Sequence, residues 1–231
     1  MLRKHLAGLA SIWLMFPHAP AVAHYLWIEP DAARHARLYF GEYQENLRET
    51  SEGRLNWIKA PQAWVIDRDG TRRATATSRQ RDHFDLGPVA GAQATLVEDA
   101  SGEVLDLKAY GYGVVRPFFY ARYAATAAEA ASPQLTLDIV PEKQPGRYGV
   151  YFRGRPLPRA KITVYAPNQW QQEHRADEQG IVQVATPWPG YYVLEVIHSE
   201  PQSGEFRGRA FEVLRHRATL TIPVDGPAHA H

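Results

Sequence analysis

The chain has no cysteine among its 231 residues. Disulfide cross-links, thiolate metal ligands and a thiol nucleophile are thereby excluded. Any metal site must use nitrogen and oxygen donors. Long apolar runs are nearly as scarce. The longest, Leu6 to Phe16 ("LAGLASIWLMF"), falls short of the about 20 apolar residues that a bilayer-spanning helix requires. An excess of one charge is lacking too, since 26 Lys and Arg face 25 Asp and Glu. That balance argues against nucleic acid or an anionic membrane as the main partner. Catalytic signatures are also missing. There is no G-x-S-x-G elbow, no P-loop, no H-E-x-x-H and no glycine-rich dinucleotide fingerprint.

What is present begins with a secretory pattern. Arg3 and Lys4 make a positive start, the apolar run follows, and Ala21-Val22-Ala23 is a small-residue cleavage site. The reading is a signal peptide over 1–23 and an exported, periplasmic product, with an uncleaved N-terminal anchor as its rival. The cut would make His24 the first residue. It would also remove Arg3 and Lys4, leaving 24 basic against 25 acidic residues and a formal net charge of −1. Without a cysteine at the cut there is no lipid anchor.

The rest reads as all-β. Seventeen glycines and 17 prolines punctuate short runs of β-branched and aromatic residues. In "AWVIDRDGTRR", Asp69-Gly70 marks a hairpin. "ATLVEDASGEVLDLKAYGYGVV" reads as a second hairpin around Ser101-Gly102. "LTLDIVP", "KITVYAP" and "RATLTIPV" alternate as half-buried strands. The alanine-rich 116–131, opened by Pro117, predicts one short helix near 117–131. The expected organisation is two packed β-sandwich parts of immunoglobulin or transthyretin type. A β-rich domain would span 24–140, a sandwich domain 141–225, and a flexible tail 226–231.

The C-terminal part carries "GRPLPRAKITVYAP", then "RADEQGIVQVATP", then "WPGYYVLEVIH". This order resembles the transthyretin-like or carboxypeptidase-regulatory sandwich, in which Asp177 and Gly180 would set a tight turn. Together with "AHYLWIEP" and "LTLDIVP", it resembles a secreted bacterial family of unknown function. Some members of that family occur as periplasmic components beside nickel or cobalt uptake transporters. One departure is Ala176-Asp177, where the pattern has Thr-Asp. The resemblance implies metal handling outside the cytoplasm, with a membrane metal transporter or an outer-membrane receptor as partner.

A histidine at position one offers its α-amine and its imidazole Nδ1 to a single ion, and a second histidine would complete a roughly planar three-nitrogen set. Such donors suit Cu(II) and Ni(II), and the resemblance adds cobalt. The candidate metal ligands are therefore His24 first, then His198 and His83. His198 ends "YYVLEVIH" on the face of Tyr192, Leu194 and Val196, where a histidine is more often packed in a core; the resemblance marks it. His83 sits between Asp82 and Asp85, which could orient its ring, or it belongs to a solvated turn. His35, His174 and His216 lie among charged residues and are set aside, the last two as exposed strand edges.

Glu42, Glu45, Glu49 and Glu52 recur at three- and four-residue spacing. They could line a helix face, either as a carboxylate patch for a cation or as a solvated face. Glu29 is a further carboxylate near His24. The aromatic stretch from Tyr110 to Tyr123 suits packing between sheets better than a stacking platform. Three functions follow. The first is a non-enzymatic periplasmic protein that binds nickel, cobalt or copper and hands it on. The second is a His-first copper monooxygenase acting on polysaccharide. The third is a structural envelope module.

Overall fold

The structure, a computed structural model, describes residues 23–126 and 130–225. In chain order the first strands are β1 (Tyr25–Pro30), β2 (His35–Glu42), β3 (Leu47–Arg48), β4 (Gln62–Asp67), β5 (Arg72–Thr75) and β6 (Ser78–Arg79). Next come β7 (Phe84–Pro88), β8 (Ala92–Asp99), β9 (Leu105–Asp106), β10 (Val114–Ala124), β11 (Leu137–Pro141) and β12 (Arg147–Phe152). The last are β13 (Arg155–Pro156), β14 (Lys161–Tyr165), β15 (Gln171–Arg175), β16 (Ile181–Gln183), β17 (Gly190–Phe206) and β18 (Arg209–Val224). They form three sheets. A nine-stranded sheet runs β15-β14-β17-β18-β10-β8-β4-β5, with β9 beside β10. A five-stranded sheet runs β1-β2-β7-β6, with β3 on β2. A four-stranded sheet joins β11, β12, β13 and β16. The fold is all-β and layered as a sandwich.

The nine-stranded sheet has a core on each face. On one side Leu96, Tyr120, Ile162, Leu194, Leu220 and Ile222 meet Leu137, Ile139, Tyr148 and Val150 of the four-stranded sheet. On the other side Ala63, Val97, Ala121 and Tyr123 meet Leu26, Ile28, Leu38 and Phe40 of the five-stranded sheet. Strand alternation makes this possible, because successive residues point to opposite faces. β18 shows it best. Ala218, Leu220 and Ile222 enter the first core, while Thr219 Oγ1 donates to the carbonyl of Leu26 at 2.6 Å on the other side. "RATLTIPV" therefore alternates as expected, yet both of its faces are buried. The threonine face is covered because β1 lies across it.

Residues on either side of Pro141 share the nine-stranded sheet, since β10 pairs in parallel with β18 from Val115↔Val213 to Tyr123↔Thr221. The helix expected near 117–131 is corrected: residues up to 124 are strand β10, and 127–129 lie outside the described residues. Pro117 suggested a helix start but is tolerated in the strand for a specific reason. The β9 pairing ends at Val115 and the β8 pairing begins at Phe119. No antiparallel neighbour claims a donor from the gap between them. The only helical segments among the described residues are three short 3-10 turns, the longest of four residues. The residues of the expected signal peptide, 1–22, and of the tail, 226–231, lie outside the described ones.

The turns follow their side chains. The β4–β5 hairpin closes at Gly70, φ +85°, with the Asp69 carboxylate accepting from the Thr71 amide at 2.9 Å. Asp177 Oδ1 accepts from the amides of Gln179 and Ile181 at 2.9 and 2.8 Å, and Gly180 sits at φ +76°. A Cβ there would lie 2.9 Å from the carbonyl oxygen of Val150, so glycine is required. The hairpin expected around Ser101-Gly102 is wider than that. β8 pairs with β10, and the connection between them carries β9 back onto β10.

One buried ion pair ties the central sheet to the four-stranded one. Arg122 on β10 donates from Nε and Nη2 to the two Asp138 oxygens at 2.9 and 2.6 Å, and both side chains are 1 % exposed. Asp138 Oδ2 also accepts the backbone amides of Gln134 and Leu135. Removing one partner strands a buried charge. Asp138→Ala is expected to lower stability by about 3–5 kcal/mol in urea unfolding. The double variant Arg122→Met/Asp138→Leu should recover only part of that loss, because the amides of Gln134 and Leu135 still lack their acceptor.

Candidate functional site

His24 directly precedes β1 and is 2 % exposed. β1 lies antiparallel to β2, so the ring of His24 falls beside the end of β2 at Glu42. Gly41, at φ +149°, then lets the chain fold back. A Cβ at this position would lie 2.1 Å from the carbonyl oxygen of Leu47. β3 can therefore pair with β2, Gly41 opposite Arg48, and the Glu49 amide donates to the Phe40 carbonyl at 2.8 Å. The return brings a second carboxylate to the same ring.

The result is a histidine held between two glutamates. Nε2 hydrogen-bonds Glu49 Oε1 at 2.6 Å. Nδ1 lies 3.1 Å from Glu42 Oε1, without the alignment of a hydrogen bond. A ring donating from Nε2 presents a lone pair at Nδ1 when neutral. That nitrogen and the carboxylate oxygen are then both acceptors, and a cation, either a proton on Nδ1 or a metal ion, relieves the contact. Their separation suits cis ligation: two donors each about 2.0–2.1 Å from one ion, at a right angle, are about 3 Å apart. Glu49 has the place of the outer carboxylate that orients a metal-ligating histidine. Phe40 closes one side of the ring, with centroids 5.4 Å apart.

The base of the site is polar and buried. Arg217 on β18 donates from Nη1 to the His24 carbonyl at 2.6 Å and pairs through Nε with Glu195. Tyr165 donates to the other Glu195 oxygen at 2.6 Å and stacks on Tyr25. Burial pushes both tyrosine hydroxyls well above their ordinary range, so they remain donors. Arg215, two residues along β18, lines with His24 and Arg217 a cavity of about 20 Å³. Leu105, Pro117 and Phe119 line this cavity and also a neighbouring one of about 230 Å³, walled further by Phe40, Trp57 and Val104.

The other two predicted ligands lie elsewhere. His83 packs its ring on Tyr39, the β2 neighbour of Phe40 on the opposite face, and its Nδ1 binds Asp82 at 2.7 Å. His198 pairs across β17–β18 with His216, whose ring stacks on Phe118 and Tyr120 in the core on the far side of the central sheet. Neither joins His24. Among the described residues no group of three His, Asp or Glu side chains is placed to share one metal ion. Glu42 and Glu49 were legible as carboxylates but misread in form, for they flank a folded-back strand rather than one face of a helix. Glu45 and Glu52 are exposed, and Glu29 pairs with Arg48 at 2.9 Å. Of the aromatic stretch, Tyr120 and Tyr123 are core, while Tyr110 and Tyr112 are exposed.

His216 corrects an expectation. The charged residues around it in sequence predict an exposed edge, but β18 lies at the centre of its sheet and leaves it 2 % exposed. Its Nδ1 lies 2.9 Å from the Tyr120 hydroxyl. Burial, above all, pushes its pKa down to about 4, and burial lowers that of His198 in the same direction. The unfolded chain therefore takes up protons near pH 6.5 that the folded chain refuses until about pH 4. Stability present above pH 6.5 is lost as pH falls across that window, by roughly 3 kcal/mol at most from His216. Urea unfolding at pH 7.5 and 4.5 should show that loss, and His216→Phe should flatten it.

A family model described as "Domain of unknown function (DUF4198)" matches residues 21–200. That span contains His24, Glu42, Glu49, Glu195 and His198, and it stops before Arg215, His216 and Arg217. Comparison with curated proteins and with solved structures gave no match. Among the described residues no helix is long and apolar enough to cross a membrane. With more than half of its length matched, the chain belongs to the DUF4198 family of domains of unknown function.

Proposed function

We propose that the protein captures a divalent transition metal, nickel, cobalt or copper, at His24 and delivers it to a membrane transporter or receptor. In this reading residues 1–23 are removed on export to the periplasm. The new α-amine and Nδ1 of His24 then chelate the ion, and Glu42 supplies an oxygen. The single observation that carries the reading is the buried Nδ1 with no hydrogen bond, 3.1 Å from a carboxylate oxygen. Glu49 supports it by holding Nε2, which leaves Nδ1 free for the ion. The set of donors differs from the one the histidines suggest, since a carboxylate takes the third place in the stead of His198 or His83. Nitrogen and oxygen donors of this kind bind Cu(II) more tightly than Ni(II), and Ni(II) more tightly than Co(II), so supply rather than affinity would select the cargo. The reading is one of binding and transfer, not catalysis.

The test is calorimetric titration of Ni(II) and Cu(II) into protein beginning at His24 and into the same protein with one alanine before it. The native form should bind one ion. The extended form should bind at least about tenfold more weakly, because His24 then carries a peptide amide nitrogen in place of the amine that closes the chelate ring with Nδ1. Glu49→Gln is expected to cost about 10–100-fold in affinity, as outer carboxylates on metal-bound histidines do. Glu42→Gln should cost at least as much, and His83→Ala and His198→Ala should change little. Equal binding by the native and extended forms would sink the reading.

The pH dependence has a definite sign. An α-amine titrates near about pH 8, and its proton must leave before it can ligate. Apparent affinity should therefore fall about tenfold per pH unit between pH 7 and 6, and the extended form should show a shallower slope.

A further inference from the structure

Arg215 is the unexplained charge near His24. It is 9 % exposed, at the centre of the nine-stranded sheet. Among the described residues it forms no ion pair; its guanidinium lies 4.3 Å over the Tyr112 ring. The nearest acid acting on it, Glu195, is already engaged by Arg217 and Tyr165. Burial and the neighbouring Arg217 both work against its charged form. A buried guanidinium left without an anion is costly, and such a group lining a cavity marks where an anion belongs.

That cavity is the one His24 lines. Its volume, about 20 Å³, holds little more than a water. The adjoining pocket of about 230 Å³ shares three of its walls and is mostly apolar. It is smaller than the about 300–1,000 Å³ of sites for drug-sized molecules, so it suits a body of about one ring. Charge points the same way. A divalent ion at His24 with Glu42 as its one carboxylate ligand keeps a net positive charge, and Arg215 adds another along the cavity that His24 lines. Three protein donors also leave the ion short of a full coordination shell.

Resting on the metal reading, we propose that the ion is carried as a chelate with a small organic carboxylate. The anionic end of the chelator pairs with Arg215 and completes the coordination at His24. Its apolar body lies between Phe40, Trp57 and Phe119. The cargo is thus a metal–carboxylate complex rather than a bare ion.

The test uses picolinate, a single aromatic ring with a chelating carboxylate. Protein beginning at His24 is dialysed to equilibrium against Ni(II) alone, picolinate alone, and an equimolar mixture. A ternary complex retains picolinate and nickel one to one, and tightens apparent nickel affinity at least tenfold. Arg215→Gln should abolish the picolinate retention while leaving binding of Ni(II) alone within about twofold. Trp57→Ala, at an exposed wall of the pocket, should weaken retention severalfold and serves if R215Q does not fold. The opposite result is equally readable. Without a ternary site, picolinate competes for nickel and strips it from the protein. Nickel binding with such stripping overturns the chelate proposal and leaves the metal reading intact. Failure of nickel to bind under any condition overturns both.

Discussion

A buried guanidinium holds this molecule's candidate site together. Arg217 takes the carbonyl of His24 on one side and the carboxylate of Glu195 on the other. It thereby fastens the start of β1 across the middle of the central sheet. Without Glu195 the charge of Arg217 would be uncompensated, and without Tyr165 one Glu195 oxygen would lose its donor. Each member needs the next, because polar groups in a dry interior are stable only when satisfied. The position of His24 relative to Glu42 and Glu49 follows from this anchor and from the return of the chain at Gly41.

The central sheet explains both the reach and the limits of the site. With β10 parallel to β18, strands from early and late in the sequence lie side by side. One face of β18 then presents Arg215, Arg217 and Thr219 toward β1, while the other presents His216, Ala218 and Leu220 toward the first core, the one shared with the four-stranded sheet. His24 and His198 fall on opposite faces of one sheet, separated by a layer of backbone. No rotation of either side chain brings them to a common ion. A histidine plus a carboxylate is what the near face can offer, and the sequence places both carboxylates within a single short fold-back.

Some of this was legible beforehand. Alternation located β11, β14 and β18, and the Asp-Gly and Asp-x-x-Gly turns sit where their side chains demand. Other elements were misread for identifiable reasons. Pro117 and the nearby alanines argued for a helix, but Val114, Val115, Phe118, Phe119 and Tyr120 before them favour a strand, and the proline falls in a gap of the ladder. His216 looked exposed because charged residues surround it in sequence. Arg217, however, is buried on the far face with its own partners, and Arg215 beside it packs over the Tyr112 ring.

From the sequence alone came the chemistry available: nitrogen and oxygen donors only, a histidine that a signal cut would leave first, an all-β chain, and carboxylates clustered soon after. These follow from composition and local pattern, which do not depend on what packs where. The tertiary structure alone decided which donors meet. That Glu42 and Glu49, not His83 or His198, reach His24 depends on strand order, on the face each residue takes and on one glycine turn. Those are long-range properties, since a period-two strand specifies that neighbours alternate but not which sheet covers each side.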